Sequence, residues 1–237
     1  YGDHRDLHLS IRRQRQMCIR DRLRDIGKKL MLNSLFITLE GIEGVGKSTA
    51  VETVASTMIS IGKDVLVTRE PGGTSIGEQV REILLSRKNE RITPTTELFL
   101  LLAARNQHLQ EVVIPALELG KCVICDRYID ATFAYQGAGR KLGDAFVSQA
   151  NALIPSLPIP DLTLLLDATP ELGLKRVEMR GLSDRFEIES NNFFEDVRGC
   201  YLRRASEQPQ RILLVDASRT LGEVTAEIKN HLIDKFL

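Results

Sequence analysis

An α/β domain built on one doubly wound parallel sheet is predicted from three observations. Five short apolar runs alternate with segments of helical periodicity along the chain. The first run leads directly into a glycine-rich loop, GIEGVGKST, at residues 41–49. No internal repeat, linker or low-complexity tract divides the 237 residues.

The elements follow in order. LFITLE (35–40) reads as the first strand, ending at the loop. Val51, Val54, Ala55, Met58 and Ile59 share a helical face that Gly62 terminates. DVLVTRE (64–70) is a second strand; a PGGT turn and a helix carrying Ile76, Val80, Ile83 and Leu84 come next. A long helix from Thr96 to Leu119 is expected to bend near its end, where Pro115 removes a backbone donor. CVICD (122–126) is the third strand. PSLPIPD cannot continue a helix and introduces the fourth, LTLLLD (162–167). RILLVDA (211–217) is the fifth, and the chain closes with a helix carrying Leu221, Val224, Ile228 and Leu232.

Hydrophobic residues make up 43% of the chain, enough for a full core. The formal charge is zero but unevenly spread: residues 1–30 hold nine Lys/Arg and four Asp/Glu, leaving 23 basic and 28 acidic residues beyond them. An acidic body argues against nucleic acid as a partner. No run approaches the roughly 18 apolar residues of a membrane span, and no secretory h-region is present. Four cysteines are too few for a disulfide scaffold. Cys122 and Cys125 have C-x-x-C spacing but lie in a β-branched strand, where an odd separation turns them to opposite faces. They are expected to be small packing residues of a cytoplasmic protein.

The first thirty residues lack sustained periodicity and do not begin with Met. An Arg-rich transit peptide is disfavoured by Asp3, Asp6, Asp21 and Asp25. A basic arm is a second reading. The preferred one is that residues 1–30 are a non-native or disordered extension, since RRQRQMCIRDR resembles translated adapter read-through and Met31 is a natural start. Residues 31–237 then form a single domain.

Gly41, Gly46, Lys47 and Ser48 fill the template G-x-x-x-x-G-K-[ST]. In such a loop the backbone N–H groups from Gly41 through Ile42, Glu43, Gly44, Val45 and Gly46 to Thr49 turn inward around phosphate, and the helix N-terminus adds positive potential. Lys47 would reach the β- and γ-oxygens of a nucleoside triphosphate, and Ser48 would offer its hydroxyl to Mg²⁺. A second carboxylate is expected at a neighbouring strand end. Asp126 is preferred because Arg127 follows it, making a polar pair at the crevice. Asp167 is the rival, though a strand terminus before the Thr169–Pro170 helix start accounts for it.

The absence of a basic groove, a regulatory domain and the string N-K-x-D weakens motor, helicase and GTPase readings. Three arginine-bearing segments point to a small anionic acceptor: TREPGGT (68–74), AARNQH (103–108) and DRYIDATFAYQG (126–137). Arg69, Arg105 and Arg127 suit a phosphate, while Phe133, Tyr135 and Gln136 suit a base.

Together with PDLTLLLD and RGLSDRFE, these segments resemble the bacterial type of thymidylate kinase from about Leu35 to the last helix. The resemblance implies the P-loop nucleoside monophosphate kinase fold, a five-stranded parallel sheet with helices on both faces and a short lid at about 180–190. It implies phosphorylation of dTMP to dTDP by ATP with Mg²⁺, in a homodimer using the helix of Leu98 and Leu102. Arg127 would hold the acceptor phosphate. Arg105 and Gln136 would bind thymine, and Tyr135 would disfavour a ribose. Glu43, Glu70, Leu101 and Thr132 would line the same pocket. Many relatives carry an aromatic residue where Leu101 stands, so Phe99, Phe133 or an aliphatic surface must form the base wall. Eukaryotic-type relatives carry an arginine where Gly44 stands. Arg180 and Arg185 of the lid, with Arg176 before it, would supply that charge instead. Adenine would lie near Ala217 and Ser218. Another base preference, or a nucleotide-binding regulator without transferase activity, are the alternatives.

Overall fold

The computed structural model describes residues 34–86, 92–179, 181, 185–187 and 189–237. The N-terminal thirty residues and Arg180 therefore lie outside the described residues. Strands β1 (Leu35–Glu40), β2 (Val65–Arg69), β3 (Cys122–Asp126), β4 (Leu162–Asp167) and β5 (Ile212–Asp216) form one parallel sheet in the order β2-β3-β1-β4-β5. Strand ends differ from the sequence expectation by one residue at most. The central strands read as continuous apolar runs because both their faces are covered: Ile37, Leu39, Val123, Ile124 and Leu164 are fully buried. The edge strands β2 and β5 alternate with exposed positions.

From β1 the chain crosses to β2 at one edge, and from β3 it crosses past β1 to β4. Right-handed crossovers in opposite directions put helices on opposite faces and open a crevice at the carboxyl ends of β1 and β3. Leu39 pairs with Asp126 in that register, and the Arg127 N–H donates to the Leu39 carbonyl at 2.9 Å. The phosphate loop and the Asp126-Arg127 pair thus flank one cleft.

Helix α1 (Lys47–Ser60) buries Val54 and Met58, and Gly62 closes it with a left-handed φ of 83°. Ile59 departs from expectation: it is 60% exposed, because the apolar stripe it was assigned to is narrower than the sequence suggested. Ile76 and Ile83 of α2 (Ser75–Leu85) are likewise exposed, whereas Val80 and Leu84 face the core.

The expected long helix is divided. Helix α3 (Pro94–His108) passes into a π-helical segment, Leu109–Val113, and then into α4 (Ile114–Glu118). The distortion precedes Pro115 rather than following it. The ring of Pro115 crowds the turn before it and its nitrogen donates nothing, so a widened turn absorbs both effects. Leu98 and Leu102 of α3 belong to the core, and this corrects their assignment to a dimer contact.

Beyond β3, α5 (Ile129–Thr132) runs into a second π-helical segment, Phe133–Gly139, then α6 (Asp144–Asn151). Helix α7 (Pro170–Glu178) starts as its sequence dictates, with Thr169 accepting from the Leu172 N–H and Pro170 in the first turn. Helices α8 (Asn191–Glu207) and α9 (Leu221–Phe236) complete the fold; α9 opens on a Thr220–Glu223 capping box. No helix among the described residues is long and apolar enough to cross a membrane. Cys122 and Cys125 are buried, free thiols, and burial pushes Cys122 up to about 12, so neither is a thiolate.

Candidate active site

A cleft of about 430 Å³ opens where the β1 loop, β3, α3 and the lid meet. At one end it is lined by Gly44, Gly46, Lys47, Ser48 and Thr49 of the phosphate loop. Gly41, Ile42 and Val45 stand behind this wall, and the ammonium of Lys47 donates to the carbonyls of Gly41 (3.1 Å) and Ile42 (2.7 Å). Burial, reinforced by the nearby Arg127 charge, lowers Lys47 to about 8.

Gly44 has a left-handed φ of 73°, and a Cβ there would lie 2.1 Å from the carbonyl oxygen of Gly173 in α7. A Cβ on Gly173 would lie 2.5 Å from the Glu43 carbonyl in return. Loop and helix are in backbone contact, so the position admits no side chain, the arginine of eukaryotic-type relatives included. Gly44→Ala is expected to cost at least about 2 kcal/mol and to weaken ATP binding, because neither backbone yields as a flexible side chain does. Gly46→Ala, with a φ of 92° but nothing within 4 Å of its Cβ, is the milder control. Thermal melts and ATP titrations giving both variants equal losses would contradict this packing argument.

Asp126 lines the cleft beside Ser48, and its Oδ1 is buried with no hydrogen-bond partner. An orphaned carboxylate oxygen next to a loop hydroxyl suits Mg²⁺, which keeps several waters and needs few protein ligands. Asp167 is already engaged, receiving both arms of the Arg198 guanidinium at 2.7 and 2.8 Å.

Arg127 sits at φ 67°, a left-handed turn that carries its side chain back over the loop. It donates to the Gly41 carbonyl (3.0 Å) and to Glu43 (2.8 Å), and its guanidinium lies 4.8 Å from the Tyr135 ring centroid. Burial opposes its charge, yet Tyr135 and Glu43 hold it well above the ordinary range. The Tyr135 hydroxyl donates to the Glu43 carboxylate at 2.7–2.8 Å. Loop, strand end and π segment are thereby tied into one cluster.

At the far end, Arg105 donates to Glu70 (2.7 Å), Asn151 (2.9 Å) and Thr132 (2.9 Å). Burial opposes its charge too, but Glu70 raises it. Leu101 and Gln136 complete this end of the lining. Neither Phe99, which is 53% exposed, nor Phe133, which packs under Arg204, is among the lining residues. Leu101, Leu85 and Phe186 are large apolar residues that do line it.

Arg69 is paired with Glu78 at 2.8 Å on the surface, and Arg81 lines the cleft in its stead. No sequence signal set Arg81 apart from any other helical arginine. Arg176 lines the cleft and donates to the Ala217 carbonyl at 3.0 Å, which links Ala217, not itself a lining residue, to the site. Arg185, expected as a lid cation for phosphate, donates in this structure to Leu84 O (2.7 Å) and Glu97 (2.5 Å), a fully buried carboxylate that requires cations.

Residues 39–228 match the family model for thymidylate kinase. The thymidylate kinase of Ectopseudomonas mendocina is 49% identical over 197 residues, covering 83% of this chain and 94% of that one. That of Ruthia magnifica is 45% identical over 199 residues, covering 84% and 97%. The crystal structure of thymidylate kinase from Ehrlichia chaffeensis superimposes with a TM-score of 0.68 at 29% identity, covering 86% of this chain and 99% of its own. With a phosphate loop and the arginines Arg105 and Arg127 lining one cleft, the chain belongs to the thymidylate kinase family, nucleoside monophosphate kinases that phosphorylate dTMP with ATP.

Proposed function

We propose that this chain transfers the γ-phosphoryl of ATP to the 5′-phosphate of dTMP, with each residue of the cleft in a definite role. The observation that carries the reading is Arg127, which joins the Gly41 carbonyl and the Glu43 carboxylate within the same cleft as Lys47. A phosphate acceptor held by Arg127 would face a γ-phosphoryl held by Lys47. The acceptor oxygen is already anionic, so no general base is needed; positioning and charge carry the reaction.

Lys47 gives up its two carbonyl partners to bind the β- and γ-oxygens. Ser48 and Asp126 are the residues that would hold Mg²⁺, which when bound neutralises phosphate charge. Arg176, already in the cleft, and Arg180 of the lid supply further charge to the transferred group. Glu43 and Tyr135 position the sugar side of the acceptor, and the ring of Tyr135 disfavours a 2′-hydroxyl. Arg105, held by Glu70 and Thr132, and Gln136 meet the base, with Leu101 and Phe186 as its apolar wall. Ala217 lies on the adenine side.

We also infer a cytoplasmic homodimer, the compartment from where its nucleotides are used. The dimer is supported by Ile76 and Ile83 of α2 and Phe99 of the adjoining α3, large apolar residues all more than half exposed.

A coupled assay across nucleoside monophosphates is expected to give the highest kcat/KM with dTMP. Comparable values for dTMP and CMP would sink the substrate assignment, and a one-chain mass by light scattering would sink the dimer.

A further inference from the structure

Glu97, in the first turn of α3, is completely buried, and three donors from elsewhere in the chain converge on it. Gln136 donates through Nε2 to Oε1 at 2.8 Å, and Arg140 donates to the same oxygen at 3.1 Å. Arg185 pairs with Oε2. A carboxylate in ion pairs with two guanidiniums accepts hydrogen bonds and has none to give. Gln136 must therefore turn its amino end toward Glu97. Its carbonyl Oε1 receives no hydrogen bond from the described residues, and Gln136 lines the cleft. The amide consequently offers the cleft an acceptor, its C=O, beside a donor, the second N–H of the amino group.

We propose that Glu97 is the positioning residue that sets base selectivity, by locking the Gln136 amide in this orientation. The inference rests on the reading of this end of the cleft as the base pocket. An acceptor beside a donor complements the N3–H and C4=O edge of thymine or uracil. Against cytosine the pattern is reversed at both positions: an oxygen meets the N3 lone pair and an N–H meets the amino group. Were the amide free to rotate, a half-turn would accommodate cytosine; pinned by a carboxylate, it cannot make that turn. Discrimination arises as much from this enforced mismatch as from the favourable pair. Arg140 and Arg185 secure the pin by keeping Glu97 an acceptor.

The test compares kcat/KM for dTMP, dUMP and dCMP in the wild type and in Glu97→Gln. The new amide has its own donor for the Gln136 carbonyl, so both orientations of Gln136 become available. The dTMP:dCMP ratio is expected to fall at least about tenfold, with dTMP:dUMP unchanged because those bases share the same edge. In a Gln136→Met background the Glu97→Gln substitution should no longer alter the ratio, as coupling through Gln136 requires. A merely structural role would lower all three substrates together, and that outcome overturns the inference. Should the single variant fail to fold, Glu97→Gln with Arg140→Gln restores the local charge balance and is read identically. A wild type that prefers dTMP over dCMP, with a variant of equal preference, overturns this inference alone. A wild type with no such preference overturns the base-pocket reading beneath it as well.

Discussion

Lys47→Ala is expected to lower turnover by about three to four orders of magnitude, the range seen when a charged group at a migrating phosphoryl is removed. The fold should persist. Lys47 stands at the start of α1, where alanine is a good helix former, and the carbonyls of Gly41 and Ile42 that it leaves are beside an open cleft. Its lowered value adds a pH signature with a definite sign. Below about 8 the free protein carries the ammonium; as pH rises through that value the charge is lost before ATP arrives. ATP affinity should therefore fall with rising pH above 8, by up to about tenfold per unit, and the dependence should disappear in Lys47→Ala. Calorimetric titrations at pH 7 and 9.5 measure both. A variant with most of its turnover intact would remove Lys47 from the site.

Arg127→Lys is expected to reduce kcat/KM for dTMP by at least about a hundredfold while leaving ATP binding near the wild-type value. The substitution keeps the charge and loses the fork. One arm of the guanidinium reaches Gly41 O, the other reaches Glu43, and its plane lies over Tyr135. A lysine ammonium cannot make those three contacts at once and still present donors to a phosphate. Steady-state kinetics in both substrates decide the matter. Equal losses for ATP and dTMP would mean that Arg127 shapes the loop rather than holding the acceptor.

Much of this site was legible along the chain because its chemistry is local. The phosphate loop needs glycines, a lysine and a hydroxyl at fixed spacing after a strand, and residues 41–49 provide them in sequence. Asp126 and Arg127 were recognisable from their place at a strand end. The less legible residues act through distant partners. Arg185 reads as a lid cation for phosphate, and nothing near it in sequence announces its pairing with Glu97, 88 residues away. Glu97 itself gave no signal, since a glutamate in a first helical turn reads as a favourable dipole contact on the surface.

Arg81 and Arg69 make the same point in opposite directions. Both were arginines near the PGGT turn; pairing with Glu78 takes Arg69 to the surface and leaves Arg81 at the cleft. Ile59, Ile76 and Ile83 followed the helical period but lie outside the covered stripe.

The sequence by itself determined the parallel sheet, the glycine-rich loop and the arginine at the end of β3, because strand patterning, loop geometry and helix starts are properties of neighbouring residues. Only the tertiary structure decided which charges meet. A buried carboxylate such as Glu97 must find its cations wherever the packed chain brings them, and periodicity reports the face a side chain occupies, not the partner that waits there.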